Sequence, residues 1–398
     1  MYAADRAQVD ANPSAPRCAG RAMRRSDAVE QSPRKSVSHG VNRHPRVIID
    51  LDALRHNYRY LKQVAAGNRL IAVVKADAYG HGASAVAQAL GDEADAFAVA
   101  ALGEAVALRE AGVTQRILVL GGFVSAAELR TCIERRLDPV LHHQFHLDCL
   151  QADPDLNDLE VWLKIDSGMG RLGFSLERTH SIIAFLAGLN TLGSLRLMTH
   201  LANADDLGSP FTASQLQAVK SLGLGDYEWG IANSAGILGW PDARQIWVRA
   251  GIAMYGADPM SDRKVSRREL RPVMTMKSVV LAVNRHRRGD RIGYGNSYTC
   301  DDDMMIAVVA CGYADGYPRH KIDTARVMIR GELCDVVGRV SMDMITVDVS
   351  HLADLGVGDE VTLFGISPEV NDLAECSQTI AYEILCNVGA HAKREYLG

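Results

Sequence analysis

An α/β fold, an N-terminal (β/α)8 TIM-type barrel followed by a mainly β C-terminal domain, is what this sequence predicts, on three observations. From Arg46 onward, short β-branched runs alternate with helical stretches, which implies parallel strands joined by crossover helices. After Arg271-Pro272 that alternation stops, and strands bounded by turn residues take over. At 398 residues the chain also exceeds what one core usually manages, so two domains are expected, 46–272 and 273–398.

In chain order, the strand candidates of the first part are Arg46 to Asp50, Leu70 to Lys75, Ala96 to Ala100, Arg116 to Leu120, Asp138 to Leu141, Glu160 to Ile165, Leu195 to His200, Tyr227 to Ala232 and Ile246 to Ile252. Between them, Asp52 to Ala65 carries Leu54, Tyr58 and Leu61 on one helical face, and Glu104 to Ala111 reads as another helix. These strands are one too many for an eight-stranded barrel, and Arg46 to Asp50 is the spare, expected to pair with the other domain. Further on, Val273 to Val283, Met305 to Cys311, Val327 to Ile329, Leu333 to Val337, Met344 to Val349 and Glu360 to Phe364 read as strands, with turns at Arg330-Gly331 and Val357-Gly358-Asp359. A helical segment, Asp372 to Cys386, is expected to close the chain.

Composition removes several classes of function. A net charge of -5, with charges interspersed, offers no basic field for a nucleic-acid backbone, and no apolar run is long enough to span a bilayer. The cysteines, 8 in all, form no Cys-x-x-Cys pair and read as reduced thiols of a cytoplasmic protein. His142, His143 and His146 lie close together, but no carboxylate or cysteine completes a ligand set, so no metal is expected. Residues 1–45 are polar and rich in Arg, Ser and Pro. Arg24-Arg25 is followed by no apolar segment of the kind a secretory signal needs, so this stretch reads as a disordered extension or a start assigned too early.

The chemistry is concentrated at strand ends. Leu70-Ile-Ala-Val-Val-Lys75-Ala-Asp-Ala-Tyr79-Gly-His-Gly82 puts one lysine at the C-terminal mouth of an apolar strand that reads as turning into a helix. An ammonium is costly to desolvate there, and a lysine of lowered pKa is the usual amine for a Schiff base, so a carbonyl cofactor is implied. Lysines at strand ends also snorkel into solvent; the neighbouring strand ends decide between the two. Glu160 to Ile165 runs into the glycine-rich turn Asp166-Ser-Gly-Met-Gly-Arg171-Leu-Gly173, Leu195 to Thr199 ends in His200, and Tyr227 to Ala232 ends in Asn233-Ser234. Ile246 to Val248 ends in Arg249-Ala-Gly251-Ile252. Singly these are ordinary features: a loop, a core histidine, a helix cap. Jointly with Lys75 they supply what a pyridoxal phosphate site wants: a Schiff-base amine, a serine and open amides for phosphate, and an arginine to face a pyridine nitrogen. In the β domain, Cys311-Gly312-Tyr313-Ala-Asp-Gly316-Tyr-Pro-Arg319 sets a tyrosine between glycines at the end of an apolar strand.

These segments, with Lys164-Ile-Asp-Ser-Gly-Met-Gly-Arg171, Asn233-Ser234, Arg249-Ala-Gly-Ile252 and Gly338-Arg-Val-Ser-Met342-Asp343, resemble the alanine racemase family from about residue 46 to about residue 386. The resemblance implies a pyridoxal 5'-phosphate enzyme interconverting L- and D-alanine, a homodimer with active sites at its interface, serving D-alanine supply for peptidoglycan or D-alanine breakdown. It implies that Lys75 holds the cofactor and acts as one acid/base, with Tyr313, from the partner subunit, as the other. Arg249 would face the pyridine nitrogen, with His200 bridging between it and Tyr313, while Tyr79, Ser234, Gly251 and Ile252 hold the phosphate. Arg171 and Met342 would contact substrate, and Lys164 would be carbamylated and orient Arg171. Racemisation takes a proton from one face of Cα and returns it on the other, which favours two bases. A phenol serves as base only when cations favour its anion; Arg171, Arg249 and His200 are the expected sources.

One departure stands out. Many members carry a tyrosine just before Val-Pro-Arg near the C-terminus, whereas this chain reads Ala390-His-Ala-Lys-Arg394. That implies a wider entrance and tolerance for side chains larger than methyl. The rival readings are a racemase of broad specificity, a barrel-type decarboxylase, which uses an acidic residue where Arg249 stands, and a non-catalytic cofactor-binding barrel, which lacks the β domain.

Overall fold

The computed structural model describes residues 45–153, 157–189, 192–262, 269–320 and 324–398, and the extension expected at the N-terminus lies outside the described residues apart from Pro45. Eight parallel strands close into a barrel: β2 (Arg69–Val73), β3 (Ala96–Val99), β4 (Arg116–Val119), β5 (Asp138–Leu141), β6 (Leu159–Lys164), β7 (Leu192–Met198), β8 (Trp229–Gly230) and β9 (Trp247–Ala250). The ring is completed where Ile71 of β2 lies beside Arg249 of β9. Strands buried on both faces need continuous apolar runs, and all of β3 and β5 is buried. Helices cover the outside. The first, Leu51–Val64, is capped by the Asp50 carboxylate, which accepts from Ala53 N at 2.8 Å, and it buries Leu54, Tyr58 and Leu61.

The spare strand β1 (Arg46–Asp50) lies outside the barrel, antiparallel to β10 (Met274–His286) and parallel to β18 (Lys393–Leu397). With β13 (Met304–Val309), β14 (Arg326–Ile329), β15 (Glu332–Val337), β16 (Ile345–Asp348) and β17 (Glu360–Phe364) these form an 8-stranded sheet in the order β13-β16-β15-β14-β17-β10-β1-β18, and β13 also pairs with β10, so the sheet folds back on itself. A small hairpin joins β11 (Arg291–Ile292) to β12 (Tyr298–Thr299).

Two elements near the C-terminus differ from the sequence expectation. The single helical segment Asp372 to Cys386 is two helices, Val370–Cys376 and Ala381–His391, broken where Gln378 takes a left-handed φ of 54°. The chain then ends in β18, whose polar sequence carries no strand signal. It is fixed by pairing with β1, Arg46 opposite Lys393.

The N-terminal mouth of the barrel is plugged by charge. Arg116 bonds Asp138 and reaches Glu160 at 2.9 Å, Arg196 reaches Glu160 at 2.5 Å and Glu228 at 2.8 Å, and Arg69 reaches Glu228 at 3.2 Å. Trp247 Nε1 donates to Glu228 at 2.8 Å. Against a desolvation that would raise it, hydrogen bonds from Arg196, Ser194 and Arg116 hold the Glu160 carboxyl down to about 2. Because the folded value lies below the usual 4.5, this carboxylate stabilises the fold above that pH and loses its contribution as pH falls toward 2. Glu160→Ala removes one of two carboxylate partners from both Arg116 and Arg196, which keep Asp138 and Glu228, and is expected to cost about 2 kcal/mol. Urea unfolding at neutral pH checks it, and an unchanged midpoint contradicts it.

Candidate active site

At the opposite, C-terminal mouth lies a cavity of about 310 Å3 lined by Lys75, Tyr79, Lys164, Arg171, His200, Ser234, Arg249, Gly251 and Ile252, together with Tyr382. Its volume is in the range of small-molecule sites. The lysine does not enter a right-handed helix as expected. Ala76, Asp77, Ala78 and Tyr79 all take left-handed φ values of 52°, 52°, 56° and 53°. Such a conformation costs an L-residue about 1–2 kcal/mol, so four in a row need external support. Glu104 accepts from Ala76 N at 2.6 Å, Arg394 pairs with Asp77 at 2.6 Å, and Asp77 accepts from Ala83 N at 2.7 Å. Gly80 abuts the helix Ala381–His391 so closely that a Cβ there would lie 2.3 Å from Leu385 O.

Charge around the cavity is cationic: Lys75, Lys164, Arg171 and Arg249 line it. Burial first, then the charge of Arg171, lowers the Lys75 amine below its ordinary value. Lys164, at the end of β6, is lowered to about 8 by burial and by Arg249 and Arg171. Arg249 is buried, and its partners are backbone carbonyls: Gly230 at 2.5 Å, Thr199 at 2.7 Å and Ile231 at 3.1 Å, with His200 Nδ1 at 3.3 Å. Burial lowers it only to about 10, so it stays a cation. His200 is pushed down to about 3, chiefly by burial and then by Arg249, and is neutral. It is therefore not the cation expected of it; its Nδ1 accepts from Arg249. A buried network steadies this wall: Ser167 Oγ lies 2.8 Å from Thr199 Oγ1, and Gln215 Nε2 donates to Ser167 Oγ at 3.1 Å and to His200 O at 3.2 Å.

Next to these charges stand Ser234 and the backbone that packs around it. Asn233 caps the short helix Ser234–Gly239 by accepting from Gly236 N at 2.9 Å. Ser234 Oγ accepts from Gly251 N at 2.9 Å and Ala253 N at 3.3 Å, which leaves its own hydrogen to donate. Asp166 accepts from Gly168 N at 2.9 Å and from Gly170 N, and so shapes the loop bearing the exposed Arg171.

Tyr313 and Met342 are elsewhere. They are 41% and 58% exposed, neither lines the cavity, and they are tied together by Tyr313 N to Ser341 O at 3.1 Å and Ala314 N to Met342 O at 2.8 Å. Arg319 lies 5.8 Å from the Tyr313 ring. The same helix that braces Gly80 also braces this loop, since a Cβ on Gly316 would lie 2.6 Å from Val388 N. Ala390 is exposed on that helix and is not a cavity residue. Tyr382 is, with its ring 5.8 Å from that of Tyr79 and its phenol pushed up to about 12 by burial. Sequence reasoning missed Tyr382, Gln215 and Glu104. The available signal for Tyr382 was its i, i+4 spacing from Cys386 on one helical face.

Comparison with known proteins follows the same outline. The family model for the N-terminal domain of alanine racemase matches residues 49–259, and that for its C-terminal domain matches 273–396. An alanine racemase of Azoarcus sp. is 46% identical over 342 residues, covering 86% of this chain and 96% of that protein. A catabolic alanine racemase of Pseudomonas aeruginosa is 43% identical over 344 residues, covering 86% and 96%. The crystal structure of biosynthetic alanine racemase from Pseudomonas aeruginosa superposes with a TM-score of 0.87 at 38% identity, covering 90% of this chain and 100% of that one.

Proposed function

The chain belongs to the alanine racemase family, whose members depend on pyridoxal phosphate, and we propose that it interconverts L- and D-alanine with Lys75 and the partner subunit's Tyr313 as acid/bases on opposite faces of Cα. What carries the two-base reading is a separation: Lys75 stands in a cavity with Arg249 and Ser234, while Tyr313 and Met342 form an exposed pair outside it. A second copy supplying that pair would complete the site.

The residues present fit the cofactor. A Cβ on Gly251 would lie 2.7 Å from the Tyr79 hydroxyl and 3.8 Å from Ser234 Oγ, so the cradle between them exists only because that residue is glycine. Tyr79, the Ser234 hydroxyl and the backbone at Gly251 and Ile252 would hold the phosphate, Lys75 the carbonyl carbon, and Arg249 would face the ring nitrogen. When bound, the cofactor supplies an electron sink for the pair left as the Cα proton departs. Arg249, a cation held by carbonyls, would keep a proton off the ring nitrogen and so temper that sink. The lowered amine of Lys75 is suited to take a proton and return it. Arg171 would take the substrate carboxylate, with Met342 of the partner subunit against its side chain. Lys164, lowered to about 8, is available as the neutral amine that carbamylation needs, and the resulting anion would orient Arg171.

Loss of optical rotation of L-alanine by the purified protein, with and without added pyridoxal phosphate, tests the activity; no loss in either case rules it out. Breadth is tested separately. The cavity gives no support to the wider entrance expected from Ala390, which does not line it; measurable turnover of L-serine tests that expectation, and undetectable turnover beside fast turnover of L-alanine refutes it.

A further inference from the structure

His81 is fully buried two residues past Tyr79, and the reaction described above makes no use of it. Its Nδ1 lies 2.9 Å from Ala78 O and 3.0 Å from Tyr79 O. Carbonyl oxygens only accept, so Nδ1 carries the hydrogen and Nε2 is the bare acceptor. Nε2 is buried and has no hydrogen-bond partner among the described residues. A buried acceptor left unpaired is unfavourable, and the fold tolerates it here while spending the opposite edge of the ring on two carbonyls of the left-handed turn. Burial lowers the imidazole to about 4, which keeps it in this neutral form.

The ring is also the inner end of an aromatic column. It stacks on Tyr255 at 4.4 Å, Tyr255 lies 4.9 Å from Tyr79, and Tyr79 lies 5.8 Å from Tyr382 at the cavity. Tyr255 in turn donates its hydroxyl to Val73 O at 2.9 Å, at the end of β2. The column therefore fastens the strand end before Lys75, and His81 fastens the far end of the turn. We infer that His81 is a positioning residue: its Nδ1 hydrogen, shared between Ala78 O and Tyr79 O, holds the left-handed turn in the conformation that aims Lys75 and the Tyr79 hydroxyl into one cavity. The inference rests on the roles proposed for Lys75 and Tyr79, though the support for the turn itself does not.

Three variants separate the donor from the ring. His81→Asn keeps a donor close to the Nδ1 position, His81→Gln moves it toward Nε2, and His81→Phe keeps only the ring. For each, three quantities are measured: hydrogen exchange of residues 76–82 in the cofactor-free protein, the absorbance titration with pyridoxal phosphate, and kcat and KM for L-alanine. His81→Phe is expected to exchange at least about tenfold faster in the turn, to bind pyridoxal phosphate about tenfold more weakly, and to lose about a hundredfold in kcat with KM within about threefold, because a misplacement near 1 Å has that consequence. His81→Asn is expected to stay within a few-fold of wild type in all three. Wild-type behaviour of His81→Phe overturns the inference, and so does a loss in His81→Asn as large as in His81→Phe. Should His81→Phe fail to fold, the amide pair decides: Asn active with Gln impaired supports the role, and Asn and Gln alike overturns it. A wild-type protein that does not racemise alanine defeats the proposed function instead, while exchange in the turn still decides the part played by His81.

Discussion

Mixing Lys75→Ala with Tyr313→Phe protein, each nearly inactive by itself, is expected to restore about a quarter of wild-type racemisation, by the symmetry of a shared-site dimer. The arithmetic follows from geometry. If each site takes its lysine from one chain and its tyrosine from the other, random exchange makes half of the dimers mixed. One site of each mixed dimer then holds both wild-type residues and the other holds neither. Alone, Tyr313→Phe removes one acid/base and is expected to cost about 10^3-fold. Lys75→Ala removes both a base and the amine that fixes the cofactor, so its loss is expected to exceed about 10^4-fold. Measurement requires differently tagged chains, so that exchange is proven before activity is read. A mixture as inactive as its parents, with exchange proven, refutes the sharing of sites between chains. The motive for the experiment is local: Tyr313 and Met342 are exposed and bound to each other's loops, away from the cavity of their own chain.

The barrel was legible because its strands are buried on both faces and so had to be written as apolar runs; Leu70 to Val73 and Ala96 to Val99 could be little else. Most of the site was legible for a related reason, since polar residues at the ends of such runs are few and point to one mouth. What stayed hidden depends on contacts between distant positions. The left-handed turn at Ala76–Tyr79 has no signature in Ala or Asp, and it exists because Glu104, Arg394 and the helix Ala381–His391 packed against Gly80 support it from other elements. The charged ring at the N-terminal mouth is spread from Arg69 to Trp247 over several separate strands, and no local pattern announces it. His200 was misjudged in charge because burial and the cation beside it, which keep it neutral, are properties of the folded site.

Arg249 is the position where a single change is expected to damage both fold and chemistry. Its guanidinium satisfies the carbonyls of Thr199, Gly230 and Ile231 at the ends of β7 and β8, and it donates to His200. Arg249→Met would leave Thr199 O and Ile231 O without this donor, while Gly230 O keeps the amide of Thr199 at 3.3 Å; at about 1–3 kcal/mol for each orphaned carbonyl, a loss near 4 kcal/mol is expected. Arg249→Lys should fare better in stability and nearly as badly in rate. An ammonium still supplies three donors, but it lacks the planar fork that meets carbonyls from two strands at once, and its charge is readily lost on burial. We expect Arg249→Lys to unfold within about 2 kcal/mol of wild type while losing roughly a hundredfold in kcat, because the wall formed by His200 and β8 shifts with it. Urea unfolding and racemisation of L-alanine, measured on both variants, separate the two effects. Arg249→Met with wild-type stability means that the orphaned carbonyls find other donors, and the account of this wall is then wrong. Arg249→Lys with wild-type kcat means that any cation suffices there and that the fork itself does no work.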